Sequence, residues 1–162
     1  MQIKAHVLRV GDDIDTDVIF PARYLSVLEP KEQARYAFEP YGESFQSRLT
    51  SSPAIVAGWN FGCGSSREHA VTCLMGLGIK LVVAKSFSRI FFRNAVNNGL
   101  AVVVCDLADR IQDDELISVD VAKGKADLAG GSFQFTPLAP PLLNILQHGG
   151  LWKTPRPSAG GQ

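Results

Sequence analysis

The sequence predicts an α/β domain with a parallel β-α-β-α-β centre to which antiparallel strands are added. Three observations predict it. Residues 54–57, 79–84 and 100–105 are short, almost continuously apolar runs, as expected of strands covered on both faces. Stretches with helical spacing separate them, and parallel strands require such crossovers. After Asp106 the pattern changes to alternation broken by turn residues, which suits an antiparallel meander.

The elements follow in order. Residues 2–10 alternate and form a first strand, ended by Gly11-Asp12-Asp13. The stretch 14–25 mixes carboxylates, Pro21 and apolar residues, and reads as an ordered loop with a short extended piece. Pro30 stands in the first turn of a short helix. Residues 39–52 are polar and read as loop. Strand 54–57 leads through a glycine-rich loop into a helix from about Ser66 to Leu77. Strand 79–84 follows. Ser86 then caps a second helix, which Gly99 stops, with Phe87, Ile90, Phe91 and Ala95 as its core stripe. Beyond strand 100–105, residues 116–122 turn at Lys123-Gly124-Lys125, and 126–128 and 132–135 pair back. Pro140-Pro141 opens a last helix that Gly149-Gly150 ends. The expectation is one domain over 1–153, with a disordered tail from residue 154.

Composition excludes several classes of function. Of 162 residues, 46% are apolar and 20% charged, and 16 Lys plus Arg balance 16 Asp plus Glu. A net charge of zero offers no general attraction for nucleic acid or anionic lipid, so any anion specificity must be local. No signal peptide or membrane-length apolar run is evident, and the expected compartment is the cytoplasm. The three cysteines, Cys63, Cys73 and Cys105, are odd in number and widely spaced, without a Cys-x-x-Cys pair. That argues against a disulfide framework and against a metal or iron–sulfur site within this chain.

The chemistry concentrates in Gly58-Trp59-Asn60-Phe61-Gly62-Cys63-Gly64-Ser65-Ser66-Arg67-Glu68-His69-Ala70. Glycines allow close backbone approach, the following helix start offers free N–H groups, and Arg67 suits a carboxylate fork. These parts make an anion site. Ser65-Ser66-Arg67-Glu68 is also a Ser-x-x-Glu capping box, which needs no function. That box does not account for the glycines, Asn60 and Arg67 gathered at one turn. The phosphate-loop pattern fails for want of a lysine, and the dinucleotide fingerprint fails on spacing. Cys63 reads as a small buried side chain in a tight turn.

The segment NFGCGSSREHA resembles the swivelling β/β/α domain of the aconitase superfamily. Residues 84–100 (AKSFSRIFFRNAVNNGL) resemble that family's second signature, and Asp13-Ile14-Asp15-Thr16-Asp17-Val18-Ile19-Phe20-Pro21 its N-terminal one. All three stand in the family's order, and the similarity covers roughly residues 2–150. The short length resembles the stand-alone small subunits of isopropylmalate dehydratase, which serves leucine biosynthesis, and of homoaconitase.

The resemblance implies a hydro-lyase that moves a hydroxyl between adjacent carbons of a small dicarboxylate by dehydration and rehydration. It implies a large-subunit partner carrying a [4Fe–4S] cluster, with no cofactor in this chain, which by itself is inactive and open to self-association. By residue match Ser65 is the catalytic base, Arg67 a carboxylate clamp and Ser66 a substrate contact, and the alkoxide this implies makes residues 62, 63 and 64 (Gly62, Cys63, Gly64) an oxyanion-type nest. Asp17 either faces substrate or merely forms an Asx-type turn with Asp15 and Thr16. Arg89 and Arg93 lie one helical turn apart and either reach the active site or form surface ion pairs. The loop holding Arg23, Ser26, Val27 and Leu28 matches the part that meets the substrate's variable group. Ser26 stands where homoaconitase-like members tend to place an arginine, and Val27 or Leu28 suits an isopropyl group better than a carboxylate. Arg23 can still swing in, so citraconate, dimethylmalate and homoaconitase-type substrates stay open. Trp59 departs from the polar residue usual before this Asn-Phe-Gly.

Overall fold

The computed structural model describes residues 1–155. A seven-stranded sheet in the order β4-β3-β2-β1-β5-β6-β7 forms its frame. The strands are β1 (Gln2–Arg9), β2 (Ala54–Ala57), β3 (Leu81–Ala84), β4 (Ala101–Val104), β5 (Leu116–Asp120), β6 (Lys125–Leu128) and β7 (Gly131–Gln134). β1 through β4 run parallel, and β1-β5-β6-β7 form the antiparallel half. This is the predicted architecture. β2 and β3 are buried at every position, which explains their unbroken apolar sequences. β1 alternates more because it joins both halves, pairing with β2 on one side and β5 on the other.

Among the described residues six α-helices accompany the sheet: α1 (Thr16–Ile19), α2 (Pro30–Gln33), α3 (Glu43–Ser51), α4 (His69–Gly76), α5 (Arg89–Asn98) and α6 (Pro140–Gln147). Several expectations are corrected. The stretch 14–25, expected as a loop with a short extended piece, is largely helical beyond the bridge of Asp15 to Cys63: Asp15 caps α1 by accepting the Asp17 N–H at 2.6 Å, and residues 22–24 form a 3-10 turn. Residues 39–52 are not loop, because α3 occupies most of them. α3 has few apolar positions. It is held by tertiary contacts, with Leu49 buried, Phe45 edge-on to Tyr41 and Arg48 paired to Asp113 at 2.7 Å.

α4 begins at His69, three residues later than expected, and no capping box forms. The Glu68 carboxylate accepts from Asn98 at 2.8 Å instead of reaching back, and the Ser65 N–H is given to Thr16. The cap of α5 is Ser88, whose Oγ accepts the Phe91 N–H at 3.2 Å; Ser86 lies outside and takes the Asn60 N–H at 2.7 Å. Gly99 ends α5 in the left-handed conformation, as read from sequence. In the stripe of α5, Phe91, Ala95 and Val96 are buried, whereas Ile90 is 45% exposed.

Thr154 is tied to Gly150 through its hydroxyl at 2.9 Å. The expected disorder of the tail beyond residue 155 falls outside the described residues. Among the described residues no helix is long and apolar enough to cross a membrane.

Candidate active site

Three loops converge where β1, β2 and β3 end, at the carboxyl edge of the parallel strands, where open α/β sheets place ligands. Backbone bonds lace them together. Gly58 donates to Gly11 O at 3.1 Å, Asp13 to Trp59 O at 2.8 Å and Gly62 to Ile14 O at 2.7 Å. Phe61 donates to Ser86 O, and Ser88 returns a bond to Phe61 O, both at 3.0 Å. The middle loop is thus a strand-like ribbon between its neighbours. Gly62 (φ +77°) is required there, since a Cβ would stand 2.2 Å from Cγ of the buried Phe91. Gly64 (φ +96°) brings the chain beside Thr16.

Ser65 is exposed at the mouth of this ribbon. Its N–H is given to Thr16 Oγ1 at 3.1 Å, and its own Oγ lies 3.2 Å from the same Thr16 oxygen. Arg67 is half-buried, and its Nη1 donates to Asp17 Oδ1 at 2.7 Å and to Phe20 O at 3.4 Å. Among the described residues its other guanidinium donors have no partner, which leaves a fork for a carboxylate. Asp17 also accepts the Ala22 N–H at 2.9 Å. That bond first, and the Arg67 bond second, hold its carboxyl below the usual carboxylate range. The Asx-type turn is real, but it belongs to Asp15 and leaves Asp17 free to anchor Arg67. Ser66 is exposed, with its carbonyl accepting from Asn94 at 3.3 Å.

The nest is narrower than the sequence suggested. Gly62 spends its amide on Ile14 O and so is not an anion donor. Among the described residues no acceptor is found for the N–H groups of Gly64, Ser66 and Arg67. Cys63 is half-buried rather than buried, and desolvation followed by the Asp15 and Asp13 charges pushes its thiol up, so a thiolate is disfavoured. Cys73 and Cys105 are buried, and burial raises both thiols. Among the described residues no group of three or more His, Cys, Asp or Glu side chains converges as a metal site. His69 stacks on Phe20 with ring centroids 5.5 Å apart and makes no bond to Ser65.

The profile of the aconitase C-terminal domain family matches residues 17–106, more than half of the chain. The chain belongs to this family. The aconitase-family match spans the ribbon, α4 and α5, and begins at Asp17 itself. Over 154 residues the chain is 44% identical to the 3-isopropylmalate dehydratase small subunit of Halothermothrix orenii, covering 93% of each. It is 46% identical over 145 residues to 3-isopropylmalate dehydratase small subunit 1 of Archaeoglobus fulgidus, covering 88% of this chain and 90% of the relative. A crystal structure of 3-isopropylmalate dehydratase from Methanocaldococcus jannaschii superimposes with a TM-score of 0.88 at 38% identity, covering 95% of this chain and 93% of that one.

The remaining residues singled out from sequence sit around this centre. Arg23 is committed to Glu39, with its guanidinium 4.9 Å from the Tyr24 ring centroid. Ser26 is exposed, Val27 packs against the core, and Leu28 is 77% exposed. Buried Gln33, which the sequence did not flag, fastens this loop. Its Nε2 donates to Val27 O at 2.9 Å and Leu28 O at 3.3 Å, while its Oε1 accepts from Thr72 of α4 at 2.6 Å. Arg89 and Arg93 are exposed on α5, beside Phe87, Phe92 and Val104, and among the described residues neither has an ion pair. Trp59 is 56% exposed with Lys85 Nζ 5.9 Å from its ring centroid; nothing in the structure explains its presence. Thr16 was the other residue missed. It was read only as the middle of a turn, because its partner Ser65 lies 49 positions away.

Proposed function

We propose that this chain is the small subunit of a cytoplasmic 3-isopropylmalate dehydratase of leucine biosynthesis, a hydro-lyase that isomerises 2- and 3-isopropylmalate with a large-subunit partner. The observation that carries the reading is the exposed Ser65 beside the Asp17-anchored Arg67, at the carboxyl edge of the parallel strands. Relatives bearing the 3-isopropylmalate dehydratase small subunit name over nine-tenths of the chain support it.

Arg67 binds a substrate carboxylate through the fork that Asp17 leaves open. Ser66 adds a hydroxyl at the same mouth. Ser65, as alkoxide, takes the proton from the substrate carbon: a C–H bond breaks, an O–H bond forms, and the electron pair becomes the carbon–carbon double bond as hydroxide leaves. Rehydration reverses these changes with the hydroxyl on the neighbouring carbon. The unpartnered amides of Gly64, Ser66 and Arg67 and the guanidinium lower the cost of the serine's charge. A [4Fe–4S] cluster in the large subunit would supply the Lewis acid for the departing hydroxyl. Because Arg23 is spent on Glu39 and Tyr24, it is poorly placed to hold a distal carboxylate, and exposed Leu28 favours an isopropyl group.

Reconstitution with the large subunit tests the reading. Isomerase activity is expected only in the mixture, with isopropylmalate preferred over homocitrate and citraconate. A mixture that turned over either of those faster, or none of the three, would contradict it.

A further inference from the structure

Thr16 is only 2% exposed, so its hydroxyl must find its partners inside the protein. One lone pair accepts the Ser65 N–H at 3.1 Å. The hydroxyl hydrogen then needs an acceptor, and among the described residues the Ser65 Oγ at 3.2 Å is the oxygen within reach. The direction of that bond follows by elimination: Thr16 donates and Ser65 accepts. Ser65's own proton is thereby turned away from Thr16, toward the open mouth. The Thr16 side is rigid. Its N–H is tied to Cys63 O at 2.8 Å, its carbonyl accepts the Phe20 N–H at 2.9 Å, and Asp15 caps the same turn. The Ser65 side is held by Gly64, where an added Cβ would come within 3.3 Å of the Thr16 oxygen. Thr16 thus grips the serine twice, at the backbone and at the side chain.

We propose that Thr16 is the positioning residue of Ser65, a fixed hydrogen-bond donor that aims its Oγ at the substrate and stabilises that oxygen once deprotonated. This rests on the reading of Ser65 as the base. Thr16 keeps its proton throughout, and the proton taken from substrate resides on Ser65.

The test is a double-mutant cycle on the holoenzyme reconstituted with its large subunit: Ser65→Ala, Thr16→Val and the pair, with Thr16→Ser as the rescue. Ser65→Ala is expected to lower kcat by about 10²–10⁴-fold. Thr16→Val should lower kcat by about 10²-fold, as loss of one donor to an oxyanion does, with KM little changed. The rising limb of kcat against pH should move up by about 2 units, the same hundredfold expressed as a pKa. Thr16→Ser should recover most of the loss, and Thr16→Val should add nothing in the Ser65→Ala background. Should Thr16→Val not fold, Thr16→Ala, which only removes atoms, replaces it. A slow Ser65→Ala beside a near-normal Thr16→Val overturns the role of Thr16 and leaves the base intact. Equal losses from Thr16→Val with and without Ser65, or a loss confined to KM, also overturn it. A near-normal Ser65→Ala removes the base and this inference together.

Discussion

At the scale of single residues, the site is a chain of short polar contacts: Thr16 to Ser65, and Ala22 and Arg67 to Asp17. Asp17 has a measurable signature. Its carboxyl is held below the ordinary value of 3.8, chiefly by the Ala22 amide and then by Arg67. A depressed carboxylate contributes stability above its unfolded pKa and loses it as pH falls through the folded value. The Asp17–Arg67 anchor should therefore persist through the usual carboxylate range and fail only below it. Carboxyl-carbon NMR should find the Asp17 midpoint under 3.8, and Arg67→Gln should raise it only partway, since the Ala22 bond remains. A midpoint at or above 3.8 in the unaltered protein would show that the anchor does not exist in solution. The glycine-rich turn and its arginine marked Arg67 in the sequence, and the family resemblance marked Ser65 and Asp17. Thr16 and Gln33 were not legible, because a buried hydroxyl or amide is distinguished only by what folding brings against it.

At the scale of elements, the loop between β2 and α4 keeps its shape because Gly62 lies against Phe91 of α5, itself edge-on to Phe61 with centroids 5.1 Å apart. Gly62→Ala combines a positive φ with overpacking and should cost roughly 2–4 kcal/mol. Urea denaturation should show a lower midpoint at unchanged slope. Gly11→Ala, with open space around it, should be close to neutral. Helix boundaries were the weakest part of the sequence reading for a related reason. The Ser-x-x-Glu pattern before α4 is a good cap in isolation, yet Thr16 and Asn98 take its two members for tertiary bonds. α3 was read as loop because its apolar positions are sparse, and its helical form depends on Phe38, Tyr41 and Asp113.

At the scale of the whole molecule, β1 joins the two halves of the sheet, and one buried cluster runs from Ala5 through the parallel strands to Val119 and Ala126. A core shared in this way should melt as one unit. Far-UV circular dichroism and tryptophan fluorescence should give coincident transitions, whereas two resolved transitions would mean that the halves are separate domains.

Strand periodicity, the crossovers and the chemistry-bearing segments were determined by sequence alone, since apolar patterning and residue type act over short distances along the chain. The parallel centre and the meander followed from that, while the role expected of Ser65 came from the family resemblance of its segment. Only the tertiary structure decided which hydroxyl meets Ser65, which carboxylate anchors Arg67, where α4 starts and that Gly62's amide is already spent. These outcomes are competitions for hydrogen-bond partners between groups far apart in sequence, and the winner depends on distances that exist only after the sheet has formed.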